Sequence, residues 1–416
     1  MTPREERGLV IAALCKITRK RTFWEVPSQS NPNTTYVVSI QHESCTCPDH
    51  QETGFVCKHI HAVKFVMKRE CAPDGTVTET ESVTFTQKKT YKQNWKQYNL
   101  AQSEEKRRFQ VLLHDLCQGV PEVPRNGTVG RFPVPIADRL FACCYKVYST
   151  VSTRRFACDL EDAHHDGYLS RPLHFNKICT FLEDSDLTGP LHALIARSSW
   201  PLKAIETQFA VDSSGFSTGR HVRWFDEKYG ATRSGRDWVK VHIACGVRTH
   251  IVTAVAIYGR SAGDCPIMRE LVKGTGMNFE PKEWSADKAY LSVENIESVF
   301  SQGATPYIAF KENSTGEAGG MFQKLFHLYQ FNKQDYMDHY HRRSNVESVF
   351  SAVKRLFGDY IRSRTDVAMK NEALCKLLAY NITSVIHSQC ELGIEPIFWP
   401  KLEGEQRDLL PLVRPS

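Results

Sequence analysis

YHRRSNVESVFSAVKRLFG, residues 340–358, holds a single carboxylate, Glu347, among five basic side chains if His341 is counted. At about 100° per residue, a helix through this stretch brings Tyr340, Arg343, Glu347 and Lys354 within roughly 60° of one another. Val346, Val349, Phe350, Val353, Leu356 and Phe357 form the adjoining stripe. The polar four therefore border the face that enters the core, where a rigid scaffold can hold a charge steady beside a ligand. Taken alone, the stretch also reads as an exposed helix with an Arg343–Glu347 pair at i,i+4, worth a few tenths of a kcal/mol. The rest of the chain decides between the two.

A chain of 416 residues has room for roughly two or three domains and at least one large core. With 41% hydrophobic and 24% charged residues the composition is that of an ordinary soluble protein. The net charge of +6 and pI near 8.6 lean mildly toward polyanionic partners. No apolar run approaches the roughly 18 residues that a membrane span needs, so no membrane partner is expected. The short apolar run Leu9–Cys15 is followed by the basic KITRKR, which reads against a signal peptide. TPRE at residues 2–5 reads instead as a capping box with Pro3 at the first helical position. Most of the fourteen cysteines are scattered singly through apolar patterns such as FACCYKV (141–147) and NEALCKLLAY (371–380). Buried free thiols in a reducing compartment account for them, and a cytoplasmic location is expected.

One cluster breaks that pattern: CTCPDHQETGFVCKHIH, residues 45–61. Upstream, TFWEVP (22–27) and TYVVSI (35–40) read as a strand hairpin across the turn-rich SQSNPNT. Downstream, Ile60, Val63, Phe65 and Val66 give Lys58–Arg69 a helical spacing. Cys45, Cys47, Cys57 and His59 form C-x-C, nine residues, then C-x-H. Three thiolates and an imidazole suit one structural Zn²⁺, and four protein ligands leave no open position for catalysis. The layout closely resembles the SWIM zinc finger over about residues 20–70, and that resemblance selects His59 over the nearby His50 and His61. SWIM fingers are associated with DNA binding and with protein contacts.

Residues 72–87 read as a linker. KKTYKQNWKQYNLAQSEEKRRF (88–109) then carries seven Lys/Arg against two Glu, with aromatics interleaved, as a phosphate-tracking segment or a solvated helix would. A helix to Cys117 and a Pro/Gly-rich break at 121–135 follow. Residues 154–184 fit either a helix-turn-helix or a plain helical bundle. GRHVRWFDEKYGATRSGR (219–236) fits a DNA-facing hairpin and a charged surface loop equally well. The organisation expected is a zinc module at 1–71, a linker and basic segment with a helix at 72–135, a helical, candidate DNA-binding region at 136–205, a catalytic domain at 206–390 and a C-terminal tail at 391–416.

Three carboxylates stand where an active site would want them. Asp212 in QFAVDSSGF reads as the end of an apolar strand before a glycine turn, and Asp287 in EWSADKAYL as a strand end before a helix. With Glu347 they can converge on a pair of Mg²⁺ ions, hard cations that prefer carboxylate oxygens and retained waters. In such a site one ion activates the attacking oxygen and the other stabilises the leaving oxygen of an in-line displacement.

With these motifs placed, the sequence resembles the DDE transposases of prokaryotic insertion sequences, in the branch marked by a Y-R-E-K signature. Tyr340, Arg343, Glu347 and Lys354 match that signature at every spacing. VDSSGF resembles the family's first-Asp motif, SADKAY its second, and WVKVH (238–242) the strand between them. Asp264 stands where the family often has another acidic residue. The resemblance covers roughly residues 130–390. It implies a mixed α/β, ribonuclease H-like catalytic domain, a mixed sheet flanked by helices, joined to the N-terminal ββα zinc module and a helical middle region. It implies Asp212, Asp287 and Glu347 as ligands of two Mg²⁺ (or Mn²⁺) ions, and Tyr340, Arg343 and Lys354 as contacts to phosphates near the cleaved end. The partner implied is double-stranded DNA, both transposon ends and target, met as a homodimer. Residues 288–346 are too few for the large β-rich insertion that some relatives carry there. The expected activity is end binding, strand cleavage and strand transfer. The competing expectations are an inactive DNA-binding descendant, which intact carboxylates argue against, and another ribonuclease H-like nuclease, which the Y-R-E-K spacing argues against.

Overall fold

Thr2 opens the first helix as the TPRE pattern predicts: its hydroxyl accepts from the Glu5 N–H at 3.3 Å, and the Glu5 carboxylate accepts from the Thr2 N–H at 2.6 Å. The computed structural model describes residues 2–29, 31, 34–70, 94–122, 133–218, 238–258, 263–311 and 313–399. The chain divides into two units, Met1–Lys92 and Gln93–Ser416.

The first unit comprises α1 (Pro3–Leu14), β1 (Thr18–Arg19), β2 (Trp24–Pro27), β3 (Thr35–Ser39), β4 (Ser44–Cys45), α2 (Pro48–Thr53) and α3 (Lys58–Glu70). The expected ββα core is present, and it is larger than the sequence suggested. β1 and β4 flank the hairpin, giving an antiparallel sheet of order β1-β2-β3-β4. α1 packs along α3. Gly8 permits that approach, since a Cβ there would meet Lys58 O at 2.8 Å. Ile11, Trp24, Val26, Val38, Ile60 and Val63 fill the space between helices and sheet.

The second unit is built on a five-stranded sheet of order β7-β6-β5-β8-β9. Its strands are β5 (Gln208–Ser217), β6 (Trp238–Gly246), β7 (Val252–Tyr258), β8 (Glu283–Ala286) and β9 (Thr305–Ile308). β5, β6 and β7 are antiparallel, whereas β8 runs parallel to β5 and β9 to β8. That mixed topology is the ribonuclease H-like arrangement expected. Successive side chains alternate between its faces. Phe209, Val211 and Ala244 pack with α9 (Asp264–Gly276) and α10 (Val293–Phe300) on one side. Ala210, Phe216, Val241 and Ile243 enter the opposite core.

That second core is shared with the helical stretch α4 (Trp95–Gln118), α5 (Ile136–Ser149), α6 (Ala157–His165), α7 (Lys177–Leu182) and α8 (Thr188–Ser198). α6 and α7 are joined through residues 166–176 rather than a tight turn, and α7 is six residues long with Ile178, Phe181 and Leu182 buried. This is bundle packing, not the geometry of a helix-turn-helix. The basic stretch 88–109 becomes, from Trp95 onward, the first half of α4, where Lys106 pairs with Asp159 and Arg108 with Glu104. Its residues 88–93, the linker 72–87 and the arginine-rich 219–236 lie outside the described residues.

The chain closes with α11 (Gly320–Phe331), α12 (Lys333–Tyr340), α13 (Ser344–Phe357) and α14 (Asp366–Leu392). α14 is buried on all sides through its middle, with Asn371, Glu372, Lys376 and Asn381 among the buried residues and each hydrogen-bonded to backbone. One polar residue there, Asn381, accepts from Val252 N at 2.9 Å and donates to Val252 O at 2.7 Å, pairing with the β7 edge as a strand would. Phe398 and Trp399, which the sequence assigned to a tail, are buried. The Trp399 indole donates to Asp115 O at 3.0 Å. No helix among the described residues is long and apolar enough to cross a membrane, and the described cysteines are all free.

Candidate active site and metal centre

The opening stretch is not one helix. α12 ends at Tyr340, His341–Arg343 form a 3₁₀ turn, and α13 begins at Ser344. The tighter winding gives consecutive arginines different targets: Arg342 bonds Glu283 at the start of β8, and Arg343 bonds Asp212 in β5. Asn345 steadies the turn by donating to Arg342 O at 2.7 Å. The apolar stripe also differs in one place. Leu356 is 43% exposed, because Phe357, four residues after Val353, takes the inward position at the helix end.

The sheet register places the two aspartates. Val211 of β5 and Ala286 of β8 are the last pair of the parallel ladder. The next residue on each strand is an aspartate, so Asp212 and Asp287 stand side by side, about 4.8 Å apart at the backbone. Asp287 does end its strand, capping a 3₁₀ turn by accepting from Lys288 N at 2.8 Å. Asp212 does not. β5 runs on to Ser217 because its antiparallel partner continues through Asp212↔Ile243 to Ser217↔Trp238. Asp212 marks where the parallel neighbour stops, an event no local pattern in QFAVDSSGF records.

Glu347 lies in the first turn of α13. The Arg343 guanidinium bridges it to the sheet, donating to Asp212 Oδ2 at 3.0 Å and pairing with Glu347 Oε1 at 2.8 Å. Burial raises the Asp212 carboxyl above its ordinary range, opposed by the Ser213 N–H and Arg343, and the negative charges of Asp287 and Glu347 raise it further. The three carboxylates therefore share one electrostatic environment, although Arg343 holds two of them apart. Their chemistry fits a hard dication, which needs anionic oxygens and would relieve the repulsion Asp212 feels.

The remaining signature residues border the same place. The Tyr340 hydroxyl is raised by burial and by the Asp287 charge, and Arg343 lies over its ring at 6.0 Å. Lys354 donates to Ser214 Oγ at 2.7 Å, two residues past Asp212, with its ammonium 5.5 Å from the Phe216 ring. Asp264 opens α9, where it is ion-paired with Lys240 and 3.8 Å from His242 Nε2. Sequence reading missed two neighbours, although both lie inside motifs it quoted. His242 of WVKVH is fully buried, bonds the Tyr290 hydroxyl of SADKAY at 3.2 Å, and is lowered by burial to about 4, so it is neutral at pH 7. A histidine inside the apolar strand pattern WVKVHIACG was the available signal; the structure sets it opposite Ser213.

In the first unit Cys45, Cys47, Cys57 and His59 are all buried, and their ligand atoms lie within 4.8 Å of one another. β4 supplies Cys45, Cys47 caps α2, and Cys57 and His59 bracket the start of α3. His59 Nδ1 is 3.8 Å from Cys45 Sγ and 3.9 Å from Cys57 Sγ. Those are close to the edges, roughly 3.6–3.8 Å, of a tetrahedron with zinc–sulfur and zinc–nitrogen bond lengths. His50 is turned away, bonding Phe55 O at 2.8 Å. The Cys45–Cys57 hydrogen bond lowers the Cys57 thiol and raises that of Cys45, so the two share a proton between them. The four residues fit a zinc ion.

Two family descriptions match the sequence: transposase DDE domain over residues 203–382, and SWIM zinc finger over residues 36–68. No curated protein matches it. Among solved structures, the cryo-EM structure of a piggyBac transposase synaptic complex with hairpin DNA resembles it distantly. The TM-score is 0.31 and the identity 10%, over 69% of this chain and 73% of that one.

Proposed function

Because the chain carries a transposase DDE domain, a unit of metal-dependent DNA cleavage and transfer, together with a SWIM zinc finger, we propose that it binds the terminal inverted repeats of an insertion sequence of the prokaryotic Y-R-E-K branch. It then cleaves DNA at the element's ends and joins the freed 3′-OH to target DNA. The observation that carries this reading is the β5–β8 register, which sets Asp212 beside Asp287, with Arg343 linking Asp212 to Glu347. Asp212, Asp287 and Glu347 would hold two Mg²⁺ or Mn²⁺ ions, within a catalytic segment at residues 206–390. Bound there, the ions would supply Lewis-acid stabilisation of the attacking and leaving oxygens.

The chain's own residues do the rest. A phosphodiester entering the site offers Arg343 a two-oxygen acceptor, so the guanidinium exchanges its carboxylate partners for the DNA backbone. That exchange frees Asp212 and Glu347 for metal and couples DNA binding to site assembly. Lys354 and Tyr340 flank the same path and position the strand. In the first unit Cys45, Cys47, Cys57 and His59 hold one structural zinc. The working protein acts as a homodimer on double-stranded DNA. The test is nicking of end-labelled terminal-repeat DNA by purified Asp212→Asn, Asp287→Asn and Glu347→Gln, run beside gel shifts. Loss of nicking with retained binding supports the assignment, and normal nicking removes that residue from the metal set.

A further inference from the structure

The second unit holds a cavity of about 410 Å³ between the end of α5, α7 and the segment that joins α13 to α14. Ile178, Leu182 and Phe357 give it an apolar wall, and Lys146, Arg362, Arg364 and Lys376 line the remainder. Two of the cations are already used. Lys376 donates to Gly358 O at 2.9 Å and Tyr360 O at 2.6 Å, and Arg362 to Thr150 O at 2.9 Å. Glu372 is used as well, accepting from the Arg362 and Ser363 N–H groups at 2.8–3.0 Å. These bonds shape the rim.

Lys146 is different. It is 7% exposed and has no hydrogen bond or ion pair among the described residues, and its Nζ lies 6.0 Å from the centre of the Phe156 ring. Arg364, exposed at the rim, is also without a partner among the described residues, and the only other carboxylate lining the cavity is the exposed Glu183. An ammonium held this deep, lining the cavity and with no protein acceptor among the described residues, is available to an anionic ligand that enters it.

We infer that this cavity binds a phosphate ester, with the phosphoryl oxygens on Lys146 and Arg364 and the organic part against the apolar wall. The volume lies within the roughly 300–1,000 Å³ of small-molecule sites and admits a group the size of one nucleotide. Either a free mononucleotide or one nucleotide of a bound strand has this chemistry. The cavity is separate from the candidate active site. Ser217, which bridges to Tyr360 two residues before the lining residue Arg362, lies five residues along β5 from Asp212, about 17 Å. The inference does not depend on the catalytic reading. Burial lowers Lys146 to about 8, with Arg362 adding to the effect and Glu372 and Cys179 opposing it. The ammonium is therefore lost as pH rises through 8, and affinity falls with it.

Cys179 lines the cavity and is exposed, and Cys158, also exposed, lies outside it. The experiment maps maleimide labelling of both thiols in the full chain with inorganic phosphate, a 5′-mononucleotide or a short oligonucleotide. Protection of Cys179 by about fivefold or more, with Cys158 unchanged, is expected from at least one of them. Lys146→Met should abolish the protection while melting at or above the wild-type temperature, and Arg364→Ala should weaken it severalfold. Protection by the mononucleotide identifies a free ligand, and protection by the oligonucleotide alone identifies a DNA strand. No protection by any probe at about 10 mM, or equal protection in both variants, overturns the assignment. If Lys146→Met does not fold, Arg364→Ala decides it.

Discussion

The two metal-binding regions are built in opposite ways. In the first unit, four soft ligands come from the short span 45–59, all buried, with their ligand atoms already gathered. In the second, the three carboxylates proposed as hard ligands come from a strand, a strand end and a helix spread over residues 212–347. Arg343 stands between two of them, and the Glu347 side chain is 57% exposed. A structural site is closed because its ion belongs to the fold. Under the proposed function the second site must admit a polyanion, so it stays open and its charges are balanced by Arg343, a residue that can leave them. The arginine in the second region does the balancing that a zinc ion would do in the first.

The comparison breaks most visibly at the carboxylates. Removing one charged oxygen by Asp212→Asn, Asp287→Asn or Glu347→Gln should lower strand cleavage by about 10³-fold or more, because several kcal/mol of charge stabilisation is lost. Terminal-repeat binding in gel shifts should change little. The zinc region should respond in the other currency, folding. Cys45→Ser combined with Cys57→Ser should abolish zinc in elemental analysis and expose residues 2–70 to hydrogen exchange. Residues 94–399 should keep their protection.

Arg343 sharpens the contrast between the two. Arg343→Lys keeps the charge but not the planar two-bond contact, and should cut cleavage by roughly 10- to 100-fold with little change in melting temperature. If it simply decorated a helix, as an exposed i,i+4 pair does, activity would be untouched. The smallest effect is expected from Lys354→Ala. Its salt slope for end binding should fall by about one, reflecting a single phosphate contact, and an unchanged slope would remove Lys354 from the DNA path.

The chemistry-bearing residues were easier to read than the geometry that unites them. Fixed spacing, with the SWIM resemblance selecting His59, picked out the four residues that the fold gathers at 45–59 and the Y-R-E-K four proposed to hold metal and face DNA, because spacing is a property of the chain. Three features were not written locally. The strand through Asp212 outruns the glycine that reads as its end, because a partner some thirty residues later in the chain (Asp212↔Ile243) keeps it extended. The helix through 340–358 is interrupted because Arg342 and Arg343 answer to two different strands. The helical stretch that reads as a separate region shares its core with the sheet, and no periodicity within a helix reveals what its apolar face will meet.

The Asn381 clasp has a consequence for how the protein is made. An unpaired edge strand is a template for another chain, and the groups that Val252 offers are answered by a side chain 129 positions later. The ribosome completes β7 well before it completes α14, so during synthesis this end of the sheet is open. Helix docking is then a late, long-range event. A nascent chain stalled before residue 381 would leave the Val252 end of that border open, as it is not in the finished protein, and Asn381→Leu should lower the soluble yield in cells more than its effect on the purified protein's stability would suggest.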